Sequence, residues 1–342
     1  MGVATLALQL FSVGLAAIAP GTNAPELLRA DRCRSCHAAE HADWRSSRHA
    51  QAWTNPTFQR EYRAHPLPWC VHCHAPLVQQ AAEIAGGYAE SADALAREGV
   101  DCAGCHVRDG VILAARHRAG SPHATRVVAD FDEPVFCAGC HQFSFPRFDG
   151  NLVVGYTTHP MQDTVAQHAS GPDAAVPCLT CHAATAVAPG RHRFAGAHDP
   201  AMLARALAVD VCRDRGNLRI AVENRGAGHR VPTGDVHRHL VLRAWRPSAP
   251  ERLVEAVFGR QFAPAPDGGK LTVHDGTLAA RERRVITWPL AQIASSDGAG
   301  HDDSIAVELR YVFVIDEQPL TPLGEPSSTV VFRSAAVPPT CE

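Results

Sequence analysis

Lysine is all but missing from this chain: Lys270 stands alone beside 31 arginines. With 35 acidic against 32 basic residues the formal net charge is −3, which leaves no positive surplus for nucleic acid or an anionic membrane surface. The arginine bias reads first as genomic base composition and second as a supply of forked donors for carboxylates. Methionine is scarce too, limited to Met1, Met161 and Met202. Beyond the N-terminus no apolar run approaches the roughly 20 residues that a membrane-spanning helix needs.

The N-terminal stretch lacks charge altogether from Met1 to Ala19 and is largely apolar. With Thr22-Asn23-Ala24 as a cleavage site, residues 1–24 read as a secretory signal peptide. No basic residue precedes the apolar run and Pro25 follows the expected cut, so a retained anchor is the weaker alternative. The mature chain is expected without a membrane span, in the periplasm or outside the cell.

Against these absences stand twelve cysteines, ten of them in C-x-x-C-H. The copies are Cys33–His37, Cys70–His74, Cys102–His106, Cys137–His141 and Cys178–His182. A structural zinc site uses such pairs in twos and has no need of the following histidine. Five copies, each with histidine fifth, are instead covalent attachment sites for haem c. Thiols three residues apart share one side of a helical turn, where Cys33 and Cys36, Cys70 and Cys73, Cys102 and Cys105, Cys137 and Cys140, and Cys178 and Cys181 can each add to two vinyl groups. The next residue, His37, His74, His106, His141 or His182, then serves as proximal iron ligand. The chain is expected to carry five covalently attached haems. Cys212 and Cys341 remain, either as a disulfide in an oxidising compartment or as two unpaired thiols.

Methionine scarcity decides the character of the other axial ligand. Fifteen histidines remain after the proximal five, so most haems are expected to be bis-histidine, low-spin and lower in potential than His/Met haems. Local context selects His49, twelve residues after His37, His123 in a turn after the third motif, His192 and His198 after the fifth, and His229 in the Gly226–Gly234 turn, accessible between glycines. His41, His65, His72, His117, His274 and His301 read as surface residues. His237 and His239 share a strand face and form a weak two-ligand signal for zinc or copper. The fourth motif lacks an obvious distal partner, with His159 and Met161 the nearest candidates.

The chain changes character near residue 210. From Cys33 to His182 the motifs recur every ~30–40 residues, each interval too short to bury its own core. Helices are expected over 38–53 and 77–97, and haem-covering loops over 144–160. After Cys212, strand-like segments at 217–222, 240–245, 284–288, 305–314 and 329–332 alternate apolar and polar residues between turns. The expected fold class is α+β and multidomain. A mainly α and loop pentahaem domain over 25–210 precedes an all-β, sandwich-like domain over 211–342.

Three segments carry a family resemblance: the first motif with Trp44-Arg45-Ser46-Ser47-Arg48-His49-Ala50 after it, Trp69 to Leu77, and Gly99 to His106. Over residues 30–200 or so the chain resembles multihaem cytochromes of the cytochrome c-554 type. The resemblance implies closely stacked haem pairs, electron relay, and His49 and His123 as distal ligands. That type has four haems, so the ligand of a fifth stays open. Met161-Gln162-Asp163-Thr164 and the Gly-His-x-x-Pro-Thr-Gly turn resemble a subgroup with an appended β-domain, in which His229 would reach a haem of the first domain. An electron carrier serving redox partner proteins is the resulting reading, and a homo-oligomer is compatible with it. One alternative is an oxidoreductase acting on nitrite- or hydroxylamine-class compounds at a five-coordinate haem. Another is a subunit of an extracellular cytochrome filament.

Overall fold

The structure, a computed structural model, describes residues 27–117, 119–183, 192–266, 269–293, 304–313 and 328–341. The expected signal peptide and His301 lie outside them. The described chain forms two compact units. The first takes in residues up to Pro160, those of Ala175–Ala195, and Gly269; the second takes in Met161–Ala174 and the rest.

The first unit is built from short helices: α1 (Ala30–Arg34), α2 (Ala38–Arg45), α3 (Pro56–Ala64), α4 (Pro68–His74), α5 (Val78–Ala85), α6 (Cys102–His106), α7 (Pro134–His141) and α9 (Cys178–His182). The two helices expected over 38–53 and 77–97 are shorter than predicted. Ser47 Oγ accepts from Ala50 N at 3.2 Å, a local bond that competes with the helical ladder. The other helix ends at Gly86-Gly87, with Gly87 at φ +76°, a left-handed position suited to glycine. Small strands fill the intervals: β1 (Val107–Arg108), β2 (Val111–Ala114) and β3 (Thr125–Val127) in one sheet. The predicted loop over 144–160 is instead a hairpin of β4 (Gln142–Asp149) and β5 (Leu152–Asp163). Leu152, Val154 and Tyr156 alternate along its exposed face.

This unit has no single large core among its described residues. Leu28, Leu77, Leu95, Ala103 and Val107 form one small cluster. Trp53, Val71, Ala75, Ala89 and Ala96 form a second, and Ala30, Trp44 and Ala50 a third. Polar bonds join the pieces. The wholly buried Gln80 accepts from Leu77 N and donates to Leu95 O and Gly99 O. Gly99, at φ +62°, lies so close to His49 that a Cβ would stand 2.6 Å from the His49 carbonyl. Val100 N donates to that same carbonyl at 2.9 Å.

The second unit opens with α8 (Thr164–Ala169) and α10 (Pro200–Ala206), followed by eight strands and the short α11 (Leu290–Ile293). The strands are β6 (Leu207–Asp214), β7 (Asn217–Asn224), β8 (His239–Arg246), β9 (Ala249–Pro264), β10 (Lys270–Asp275), β11 (Arg283–Pro289), β12 (Ile305–Val312) and β13 (Ser328–Ala336). They make a five-stranded sheet, β10-β9-β8-β12-β13, and a three-stranded sheet, β11-β7-β6. Alternation along each strand explains the layering: Leu218, Ile220 and Val222 of β7 share one core with Leu240 and Leu242 of β8, Phe258 of β9, and Ile305, Val307 and Leu309 of β12. Two sheets closing on one core make this unit sandwich-like, and together with the helical first unit the chain is α+β. Cys212 of β6 and Cys341 form a disulfide, while Cys341 N donates to Arg213 O and Arg213 N to Pro339 O.

The disulfide closes a sequence separation of 129 residues, for which chain entropy gives at most about 5 kcal/mol of stabilisation. Replacing both cysteines by serine is expected to lower the thermal unfolding midpoint of the β-structure by several degrees, followed by circular dichroism. An unchanged midpoint would assign the tail's attachment to its backbone pairing with β6.

Candidate haem-binding sites

Each C-x-x-C-H motif forms its own helical turn. Pro68 and Pro134 open α4 and α7, and Pro177 precedes α9; proline is preset for the first helical position, where its missing N–H costs nothing. Asp101 caps α6 by accepting from Gly104 N at 2.8 Å. At the first motif, Cys36 N and His37 N both bond to Cys33 O. All ten motif thiols are outside disulfides.

Three of the five proximal histidines are oriented from behind. Nδ1 of His74 donates to Ala52 O at 2.7 Å, Nδ1 of His106 to Leu113 O at 3.0 Å, and Nδ1 of His182 to Ala195 O at 2.6 Å. A carbonyl only accepts, so the proton is assigned to Nδ1 and the Nε2 lone pair is left for a metal. The His74 ring also lies flat against Phe58, 3.6 Å between centroids and 8° between planes. Trp53 and Tyr62 pack around Phe58.

The predicted distal histidines of the first unit each face a proximal one. His123 stands 6.4 Å from His37, His49 6.4 Å from His141, and His192 6.2 Å from His106, centroid to centroid. Imidazoles on opposite sides of one metal, each with a bond of about 2 Å and a nitrogen roughly 1 Å from its ring centre, have centroids about 6 Å apart. Those three gaps therefore have the width that an axially ligated iron requires, and the residues present fit haem c. Electrostatics favour the ligating form as well. Burial, reinforced by His141 and His182, pushes His49 down to about 4. Burial likewise lowers His141, helped by His182, and lowers His106 against the opposing effect of its bond to Leu113. These rings stay neutral, the state in which imidazole binds a metal.

Neighbouring motifs meet at their thiols. The thiol of Cys33 lies beside that of Cys102, that of Cys73 beside Cys140, and that of Cys137 beside Cys178. The first motif thus adjoins the third, the second adjoins the fourth, and the fourth adjoins the fifth.

His198 and His229 lie in the second unit. The His198 ring stacks on Phe313 at 3.7 Å and 11°. Nδ1 of His229 donates to Arg230 O at 2.8 Å, again leaving Nε2 for a metal. The glycines around His229 serve close packing more than access: a Cβ at Gly226 would stand 2.3 Å from Arg205 O, and one at Gly228 3.0 Å from Asp173 Cβ. The same turn joins the Met161–Thr164 stretch, with Thr233 Oγ1 at 2.9 Å from Thr164 Oγ1 and Arg260 donating to the carbonyls of Met161 and Gly234.

Sequence reasoning missed His168. It sits on α8, 8% exposed, and its Nδ1 has no hydrogen-bond partner. The available signal was Gly228, whose missing side chain leaves room for the His168 ring, 3.2 Å from where a Cβ would be. Two other expectations change. His41 is half-buried against Trp44 and 3.5 Å from Asp31. His237 and His239 do not share a strand face, because β8 begins at His239, whose Nδ1 donates to His237 O. Among the described residues no three metal-ligating side chains cluster.

Residues 32–107, which hold the first three motifs, match the family described as cytochrome c554 and c-prime. No curated protein matches the chain. In structure the chain is similar to a penta-heme cytochrome c552 from Thermochromatium tepidum, with a TM-score of 0.66 at 20% identity. The match covers 89% of this chain and 97% of that one, a likeness of fold.

Substituting His49, His123 or His192 by alanine is expected to leave one haem of the holoprotein with an open axial position. Each variant should show a high-spin ferric resonance worth one haem per chain. A spectrum that stays wholly low-spin removes that histidine from the ligand set.

Proposed function

We propose that this chain, a multihaem c-type cytochrome that carries haem c and transfers electrons, is a pentahaem relay working in the periplasm or outside the cell. The observation that carries the reading is the set of three histidine pairs spaced 6.2–6.4 Å apart around the first, third and fourth motifs. When bound, haem c supplies a one-electron ferric/ferrous couple. The chain's own residues would attach each haem through a cysteine pair, hold it with histidine imidazoles, and keep neighbouring motifs close. His198 and His229 remain in the proposed ligand set, joined by His168 on the strength of its burial. A bis-histidine set favours low-spin irons of low potential that exchange electrons without binding substrate.

The thiol contacts support a route. They place the first motif by the third and the fourth by both the second and the fifth, while Cys105 and Cys140 are close enough to interact electrostatically. Such an array is branched, with the first, second and fifth motifs as its three ends, and any two of them communicate by way of the fourth motif. Donor and acceptor are redox proteins, and the β-sandwich unit docks one of them. The Cys212–Cys341 disulfide supports an oxidising compartment. Among the described residues no helix is long and apolar enough to cross a membrane.

An enzyme of the nitrite or hydroxylamine class would need one open haem, and the fourth was its best candidate. The His49 ring opposite His141 argues against that site. Electron paramagnetic resonance of the ferric holoprotein, with haem quantified beside it, is expected to give five haems per chain and only low-spin signals. A high-spin signal worth one haem, together with binding of nitrite, hydroxylamine or carbon monoxide, would replace the carrier by the enzyme. A sedimentation coefficient far above that of one or two 36.6 kDa chains would favour the filament.

A further inference from the structure

Asp101 is the residue immediately before the third motif. Its side chain is 2% exposed. Oδ1 accepts from Gly104 N at 2.8 Å, whereas Oδ2 is buried with no hydrogen-bond partner. The carboxyl lies where two motifs meet, since Cys102 of its own helix lies beside Cys33 of the first motif. A cap alone does not account for an acid here. Serine or asparagine would hold the helix N-terminus as well, and α4, α7 and α9 carry their motifs without any side-chain cap.

The groups that face Asp101 supply no cation to hold it ionised. Glu98, at the end of the 3-10 turn Leu95–Glu98, contributes negative charge; its own carboxylate is taken up by Arg29 at 3.2 Å and Ala30 N at 2.9 Å. Cys33 of the first motif and Cys102 and Cys105 of α6 are titratable neighbours, and Arg108, just beyond that helix, spends its guanidinium on the carbonyls of Gly104 and Val107. Burial pushes the Asp101 carboxyl up to about 8, with the amides of Gly104 and Ala103 pulling against it and Glu98 and Cys33 adding to it. Once haem is attached, Cys33 is an uncharged thioether; burial and Glu98 persist.

We propose that Asp101 is a proton-binding site coupled to the redox state of the haems at the first and third motifs, protonated when they are reduced and ionised when they are oxidised. The proposal rests on the haem reading of those two motifs. As one electron arrives from a reducing redox protein and one iron passes from ferric to ferrous, the Asp101 carboxylate takes one proton from solvent and an O–H bond forms. Oxidation returns the electron to an acceptor protein and the proton to solvent, so charge and atoms balance in both directions. The sign follows from electrostatics. An added electron makes the site more negative and raises the affinity of a nearby carboxylate for a proton, and by linkage a bound proton raises the midpoint potential.

The test is an equilibrium redox titration of the haem-loaded protein, read by haem absorbance from about pH 6 to about pH 10, on either side of the Asp101 midpoint. In the wild type, at least one haem midpoint is expected to fall with rising pH, by no more than 59 mV per tenfold change in proton activity for one proton per electron. D101N and D101S keep an acceptor for Gly104 N and should lose that slope. Their midpoints should match the wild type at the acid end and exceed it at the alkaline end. Midpoints independent of pH in the wild type, or an undiminished slope in both variants, would overturn the proposal. Should both variants lose haem, the reduced-minus-oxidised infrared difference spectrum of the wild type decides: a buried carboxylic-acid C=O band gained on reduction supports it, and its absence overturns it. Failure of the haem reading is separate, since that protein would show no c-type absorbance to titrate.

Discussion

Two imidazoles held about 6 Å apart make a poor contact by themselves and leave the width that a metal between them would fill. Much of the first unit is arranged to maintain that spacing. Proximal rings sit on helices of a single turn or two, too short to be stable alone in water. Carbonyls of Ala52, Leu113 and Ala195 hold the rings of His74, His106 and His182 from behind, and of these His106 stands opposite His192. On the distal side, His49 is fixed through its own backbone, where Gly99 and Val100 pack against its carbonyl just ahead of the third motif. One short stretch therefore positions both a distal ring facing the fourth motif and the cysteines of the third.

This explains why the two units are built so differently. The sandwich buries one continuous set of leucines, isoleucines and valines from two sheets and stands on ordinary hydrophobic burial. The first unit has only small separate clusters among its described residues. Covalently attached macrocycles, each bridging two cysteines and gripped by two histidines, would supply the missing apolar mass and the cross-links. Ligand binding of this kind is itself folding free energy.

What the sequence made legible follows from how local each signal is. The attachment motif spans five consecutive residues because thioether formation and axial ligation act within one helical turn, so all five copies could be read directly. The strands at 217–222, 240–245, 284–288 and 329–332 were legible through alternation, which one buried face imposes. Distal pairing was not. His49 stands opposite His141 of the fourth motif, not within the first motif that it follows, and nothing near either residue records the other. Helix length was overestimated because Ala-rich composition says little about where Ser47 or Gly86-Gly87 stops a helix. His168 escaped notice because its importance comes from burial beside a glycine distant in sequence.

Burial does not by itself settle what a carboxyl does, as Asp101 and Glu308 make clear. Both are nearly hidden, at 2% and 4% exposure. At Glu308 burial raises the carboxyl, but hydrogen bonds from Arg310 and Arg333, with their charge, outweigh it and hold the group below its usual range. Its folded value lies below its unfolded one, so its contribution to stability is present at neutral pH and is lost as pH falls through that lowered value. At Asp101 no arginine offsets burial, since Arg29 is engaged by Glu98 and Arg108 by the carbonyls of Gly104 and Val107, and burial prevails. The folded value there lies above the unfolded one, so the carboxyl's contribution is fully present only in acid and is lost as pH rises towards about 8. A fold that required only a capped helix would avoid that cost with serine or asparagine. Keeping an acid without a cation between two attachment motifs is intelligible if the charge itself is used, because a site whose protonation is finely balanced responds to an electron arriving beside it, whereas the doubly paired Glu308 does not.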